Sequence, residues 1–393
     1  MTKPKGLLLL AIFTLVLLWW QAQQPAWNAH MQVDVWISWQ RISYWFGHAK
    51  SFVGLTGNEI LPATLLYVFI PTLITANSGL SYSIYLPLAM IVNLIAVASH
   101  GFLARDKVIF LTTLLFLGPI LLFRFEPMVT LFMLMSFEAF SHERYKQSGL
   151  WLGLATAMKV FPVIFLPYYA LILWKRRELR SVLGLVLFFG EALLASVLAF
   201  LLMGGSTLQI MEALSFHSHK LISIESIQGS LITGLSMLKS GVPPTLIPGN
   251  GIWSVAGPAA LFNKLWLIPI AIAYYFVWKS DSLTKNFSYK VPYVLTLIFL
   301  VFSKNLNPQY LWWFMVLLPF IKPSKFVWGL TLVTALINQV VFPLYYTTFV
   351  ESFFRQHQEY WIYYLLLLRN VGVVIICYLA TKDLFWPEIK RKE

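Results

Sequence analysis

The sequence predicts an all-α, polytopic membrane protein folded as one helical bundle, and three observations carry that prediction. Of 393 residues, 59% are hydrophobic and 11% charged, where a soluble domain carries roughly 25% charged residues. Apolar runs able to cross a bilayer, which takes about 20 residues, recur from one end of the chain to the other. Basic residues cluster in short stretches beside those runs, where the positive-inside bias acts. No hydrophilic block is long enough to fold alone, so residues 1–393 read as a single integral membrane domain. The net charge of +13 then faces anionic headgroups, which makes membrane lipids the expected partner and nucleic acid not one. Cys377 is the single cysteine, so no intramolecular disulfide forms.

The opening MTKPK and the run GLLLLAIFTLVLLWW resemble a signal peptide, but no small-residue cleavage site follows, and 6–23 reads as a retained first helix. Polar residues continue to about 59. Further apolar runs cover 60–77, 83–104, 108–123, 127–141, 150–174, 181–204, 256–278, 291–303, 309–321, 325–346 and 361–381. Topology follows from placing the basic clusters in the cytoplasm: Lys3 and Lys5, Arg105 and Lys107, Arg144 and Lys146, Lys175 to Arg180, Lys279 to Lys290, Lys322 to Lys325, and Lys390 to Lys392. Arg144 and Lys175 on one side require 150–174 to cross twice, and Pro162 and Pro167 break that run into two short helices. The run 60–77, with Pro62 and Pro71 inside it, is predicted to be re-entrant. The result is a bundle of about 12 transmembrane helices (11 to 13), both termini inside. If the protein is prokaryotic, its membrane is the plasma membrane. Three loops reach the outer face, 24–60, 205–255 and 347–360, with short interfacial helices near 206–216 and 228–238.

Three stretches carry a family resemblance. FRFEPMVTLFMLMSFEAFSHERYKQSGLWLGLATAMKVFPVIFLP resembles a pattern in GT-C class membrane glycosyltransferases: an arginine and an acidic residue open a helix, and a later small-residue helix ends in Lys-x-x-Pro. The matching positions are Arg124, Glu126, Gly153, Ala157, Lys159 and Pro162. FHSHKLISIESIQGSL is similar to a loop with basic residues before a Glu-Ser pair, and FSKNLNPQYLWWFMVLLP to a Pro-Gln-Tyr-x-x-Trp segment. The nearest group is glycosyltransferase family 87, α-mannosyltransferases that use polyprenyl-phosphate sugars. Two positions depart from it: Glu126 stands where the family usually has aspartate, and its Glu-Tyr-Pro-Pro element appears only as Asn58-Glu59-Ile60-Leu61-Pro62. The resemblance implies a GT-C-like bundle and transfer of a hexose, mannose by this likeness, from a polyprenyl-phosphate sugar donor to a glycolipid or glycan acceptor. It also implies a catalytic aspartate just after the first helix.

The chemistry of that reaction needs few groups. The donor carries its own leaving group, so the protein must position an acceptor hydroxyl, take its proton and steady the departing phosphate. Asp34, in the first outer loop, is the candidate general base; the alternative is an interfacial helix cap. Glu59 is a weaker candidate in the same loop. His217, His219 and Lys220, followed by Glu225 and Ser226, form a compact outer cluster able to hold a phosphate, or else a solvated loop. His-x-His spacing suggests a metal, but no further ligand stands nearby with zinc-like spacing, so neither metal nor cofactor is expected. Lys159 and Arg124 lie in apolar sequence, where a charge needs a cavity or a partner. Either a Lys159–Glu126 pair or snorkelling would offset the cost of such a charge, with a structural and donor-orienting role. Lys304, Asn307, Gln309 and Tyr310 are placed to bond sugar hydroxyls, or to cap a helix. Glu191 and Arg369, single charges within long apolar runs, are predicted to pair. The rival function is a transporter or lipid flippase, and the internal repeat common in transporters is absent from the sequence.

Overall fold

A computed structural model of the protein describes residues 4–25, 30–53, 61–75, 80–249, 252–257, 264–354 and 360–386. Helix dominates because in an apolar surrounding a backbone must satisfy its own N–H and C=O groups. The first half holds α1 (Pro4–Gln23), α2 (Val33–Gly47), the short α3 (Pro62–Val68) and α4 (Ile70–Thr75), α5 (Tyr82–Leu103), α6 (Lys107–Leu117), α7 (Glu126–Ser141), α8 (Tyr145–Met158), α9 (Leu166–Lys175) and α10 (Leu179–Leu202). A mixed segment follows: α11 (Thr207–His219), β1 (Ile222–Ser223), α12 (Ile227–Ser240), β2 (Ile247–Gly249) and β3 (Ile252–Val255). Its strands form a small antiparallel sheet in the order β1-β3-β2. The chain closes with α13 (Leu267–Lys279), α14 (Asp281–Lys285), α15 (Lys290–Phe302), α16 (Leu311–Met315), α17 (Leu318–Ile321), α18 (Lys325–Gln339), α19 (Tyr346–Phe354) and α20 (Trp361–Phe385).

Among the described residues four helical stretches are long and apolar enough to cross a membrane: Tyr82–Leu103, Leu179–Leu202, Lys325–Leu344 and Trp361–Phe385. Three of the other apolar runs, 108–123, 150–174 and 309–321, are divided into shorter pieces, and proline marks the divisions. Pro119, Pro162 and Pro308 each sit at the start of a 3₁₀ turn, and Pro127, Pro167 and Pro319 each open a new helix. Proline has no N–H to give a preceding turn, so the ladder stops and restarts there. The run 150–174 is divided in this way, with α8 ending at Met158 and α9 beginning at Leu166.

Two ends of the bundle can be told apart from their contacts. At one end Arg105 pairs with Glu138 at 3.5 Å, Lys175 with Asp281 at 3.0 Å, and Lys290 with Asp383 at 2.6 Å. Arg176 there reaches Glu143 at 3.4 Å and the Lys285 carbonyl at 2.7 Å. Basic clusters far apart in sequence therefore share one end, as the positive-inside assignment requires of them. The opposite end joins residues 30–53 to the turn after α10, where the Trp45 indole donates to the Met203 carbonyl at 2.8 Å and Gln209 to the Phe52 carbonyl at 2.7 Å. Contacts keep α3 near that end, Thr64 bonding the Met158 carbonyl at 2.7 Å. Residues 222–255 add a small core of their own, with Ile222, Ile224, Leu246 and Val255 packed against Val341 and Leu366.

Helix α8 lies very close to α10. A Cβ on Gly149 would stand 2.1 Å from the Leu185 carbonyl, and one on Gly153 would stand 2.5 Å from that of Phe189. Four residues apart, the two glycines form a small-residue stripe that lets α10 lie directly on α8. That contact fixes the helix whose last residue precedes Lys159.

Candidate active site

A broken helix builds the centre of the site. After α6, Gly118 and the Pro119–Phe123 turn interrupt the ladder, Arg124 is extended (φ −134°, ψ 153°), and Pro127 in the first turn of α7 lets the helix resume. The break leaves Arg124 and Glu126 at the end of the bundle away from the basic clusters. Arg124 Nε stands 3.1 Å from Asp34 Oδ2, while its Nη1 donates to the carbonyls of Met31 at 2.7 Å and Phe123 at 3.1 Å. The Nε–H makes no aligned hydrogen bond, so the contact with Asp34 is chiefly Coulombic. Asp34 lies in the first turn of α2, where a carboxylate also complements the helix dipole. Its side chain is 37% exposed against 6% for Arg124, an accessible carboxylate braced by a buried cation.

Beside this pair opens a narrow cleft lined by Asp34, Ser38, Arg124 and apolar or aromatic groups including Val68, Tyr85, Val92 and Phe123. Its inner polar groups are already committed. Tyr67 donates to Asn93 at 2.6 Å, Asn93 to the Leu122 carbonyl at 2.9 Å, and Tyr85 to the Val68 carbonyl at 2.8 Å. Charge is therefore offered at the mouth, by Asp34 and Arg124.

The second ion pair is closed. Lys159 Nζ lies 2.6 Å from Glu126 Oε1 and 4.3 Å from the ring centroid of Tyr310, with Phe125 and Trp313 each at 5.0 Å. Tyr310 and Trp313 stack at 4.2 Å. An ammonium so enclosed gains from its carboxylate and from ring quadrupoles. We assign Lys159 and Tyr310 to positioning the Arg124–Glu126 break. Glu126 Oε2 is buried without a hydrogen-bond partner.

Residues 220–226 and 304–310 meet at the same end. Lys304 Nζ donates to the Lys220 carbonyl, and the Ser223 amide donates to the Lys304 carbonyl at 3.0 Å. Both lysines are largely buried, with Lys220 Nζ 4.6 Å from the Phe216 ring centroid. Burial holds the Lys304 ammonium below the ordinary lysine range. Glu225 is buried too; desolvation pushes its carboxyl up to about 7, against the pull of Arg369 and Arg124. That Arg124 acts on both Asp34 and Glu225 ties the two halves of the site together.

Several sequence assignments change. Ser226 caps α12, accepting from the Gly229 amide at 3.0 Å and donating to the Ser223 carbonyl at 2.7 Å, so its hydroxyl is structural. Arg369 does not pair with Glu191, which is exposed on α10. It bonds Asn338 Oδ1 at 3.0 Å, Asn370 Oδ1 at 2.8 Å and the Glu225 carbonyl at 2.5 Å. A five-donor guanidinium is satisfied by amides and carbonyls that converge on one point, and a carboxylate on another helix face cannot supply that. Gln309 is buried, and Asn307 Oδ1 is buried without a hydrogen-bond partner. His219 is exposed at the end of α11, while the side chain of His217 and the whole of Glu59 lie outside the described residues.

Sequence reasoning missed His30, Tyr346 and Thr347, which form a wall, with Tyr346 within electrostatic reach of Arg124 and Glu225. His30 Nε2 is 2.5 Å from Thr347 Oγ1, and its ring meets Tyr346 edge-on at 5.4 Å. Nothing local marks them. Asn338 and Asn370 were missed as well, although amides inside apolar runs need hydrogen-bond partners there. Among the described residues no three of His, Cys, Asp and Glu converge to hold a metal ion. No family model, curated protein or solved structure matches this chain.

Proposed function

We propose that the protein is an integral membrane glycosyltransferase that moves a hexose, mannose by the family likeness, from a polyprenyl-phosphate sugar to a glycolipid or glycan acceptor on the outer face. The observation that carries this reading is the placement of Asp34: an accessible carboxylate at the mouth of an apolar cleft, braced by Arg124, at the end of the bundle remote from the basic clusters. In the proposed step the acceptor hydroxyl oxygen bonds to the anomeric carbon as the carbon–phosphate-oxygen bond breaks. The hydroxyl proton passes to Asp34, and the bonding pair leaves with polyprenyl phosphate. Lys220 and Lys304 are the cations we assign to that phosphate, because charge-assisted donors favour the state in which its charge grows. A single in-line displacement on a β-linked donor gives an α-linked product.

The membrane reading extends the four long helices to twelve legs. Support comes from the alternation of ends: α1, α5, α6, α7, α8, α9, α10, α13, α15, α16 with α17, α18 and α20 run in turn between the basic end and the Asp34 end. In this arrangement α3 and α4 form the re-entrant element. An impermeant thiol reagent added outside should label His219→Cys and not Arg144→Cys; labelling of both would overturn the topology.

The activity test is purified protein in lipid offered several polyprenyl-phosphate hexoses with lipid-linked and free glycan acceptors. Transfer of one hexose with inversion is the expected result. Uptake or flipping of labelled lipid with no transfer to any acceptor would replace the enzyme by a transporter.

A further inference from the structure

Helix α12 is built inside out for a helix lying on a protein surface in water. Its buried face is polar: Gln228, Ser230 and Thr233 are all buried, with Gln228 donating to the Val301 carbonyl at 3.0 Å and Ser230 Oγ accepting from Asn370 at 2.6 Å. Its outer face is a leucine row, Leu231, Leu235 and Leu238, which are 58%, 66% and 87% exposed. A water-lying helix shows the reverse arrangement, and an interfacial one carries a charged face. The one charged residue of α12 is Lys239, in its last turn. Helix α11 repeats the pattern, with Leu208, Met211 and Leu214 exposed while Gln209 is buried.

Depth can be read from α20, because α12 packs along its first turns. Tyr363 donates to the Ser230 carbonyl at 2.7 Å, and Asn370 reaches the Ser230 hydroxyl. Asn370 lies nine residues beyond Trp361, the first residue of α20, about 14 Å along a helix axis that rises about 1.5 Å per residue. Trp361 and Tyr364 are exposed at that start, as aromatic side chains at a headgroup boundary are. The start of α12 is therefore level with hydrocarbon, below the headgroups, and its leucine row continues the exposed face of Leu368 and Val371 on α20.

We propose that α11 and α12 form a collar sunk in the outer leaflet, whose exposed rows contact lipid acyl chains. The inference rests on the membrane reading and is independent of any sugar-transfer activity. One consequence is that Lys220, Glu225 and Lys304 are approached from the lipid side of the collar, so an amphiphile can reach them without leaving the bilayer.

The test is nitroxide labelling at Leu231→Cys, Leu235→Cys and Asp281→Cys in a Cys377→Ala background, in lipid bilayers. Collision with oxygen should exceed collision with a water-soluble nickel chelate several-fold at 231 and 235. The order should reverse at 281, where the native side chain is almost fully exposed at the basic end. Nickel dominating at 231 and 235 would place the collar in water and overturn the proposal. Protection from both reagents would mean that protein covers the row, a second copy or another chain, and would overturn it equally. Should the leucine variants fail to fold, labelling at Leu208→Cys on α11 reads the same question.

Discussion

The two ends of the bundle hold their charges differently, and the difference separates anchoring from chemistry. At the basic end the pairs are many and wet: Lys290–Asp383 has side chains 44% and 66% exposed, and Asp281 is almost fully exposed. Such pairs contribute little to stability. At the other end the charges of the site are enclosed. Lys159–Glu126 is sealed under three aromatic rings, Arg124 is buried, and Asp34 alone reaches the opening. Buried charge is costly unless it is paired, so a fold that retains it at one end has a use for a fixed field there.

Breaking the sealed pair should have the largest effect. Lys159→Ala leaves Glu126 as an uncompensated buried carboxylate and should destabilise the protein by about 3–5 kcal/mol. Replacing both partners, Lys159→Met with Glu126→Gln, should recover most of that loss in thermal unfolding in lipid or detergent. If the single variant is as stable as the parent, the pair is not a support of the site.

Next comes the exposed partner of the buried arginine. Asp34→Asn keeps shape and removes basicity, so folding should persist while turnover falls at least the roughly 10²-fold of a lost general base. Near-normal turnover would remove Asp34 from the mechanism.

A pH series sharpens the comparison further, because burial displaces the Glu225 carboxyl into neutrality. Its range in the folded protein is raised to about 7 from an ordinary 4.5. Between those values the folded state binds more protons than the unfolded state, so stability falls as pH rises through the window. Between pH 5 and pH 8 the loss from this group is on the order of a few kcal/mol. Glu225→Gln should flatten that dependence, leaving the variant the more stable protein at pH 8. Parallel pH profiles for both proteins would show that Glu225 does not titrate in this range.

What the sequence made legible follows the same division. Apolar runs and basic clusters are patterns read along the chain, and they located the helices and the end that gathers Arg105, Lys175 and Lys290. Arg124 and Lys159 were legible as charges in apolar sequence, Glu126 as one way to offset Lys159, and Asp34 as a carboxylate just after the first helix. Other features depend on which backbones approach one another. The carbonyls around Arg369, the cap made by Ser226, the meeting of Lys304 with the Lys220 carbonyl, and the wall formed by His30, Tyr346 and Thr347 come from segments tens or hundreds of residues apart. No local pattern records such approaches. Breaks at proline fall between these cases, since Pro162 marked the interruption while the enclosed geometry at Lys159 emerged only from packing.

The smallest effect is expected at the wet end, and it serves as the control for the others. Lys290 Nζ is 2.6 Å from Asp383 Oδ2 and joins α15 to α20, a geometry that on distance alone matches the Lys159–Glu126 pair. Water solvates both groups when they separate, and each long side chain loses rotamer freedom when they meet. Lys290→Ala should therefore shift stability by less than about 1 kcal/mol, and the shift should shrink further as salt rises, because exposed charges are screened. Lys159→Ala measured in the same salt series should show almost no such dependence, its partner being shielded from ions. If the two variants lose equal stability, or respond equally to salt, burial is not what distinguishes the ends and the site has no protected field.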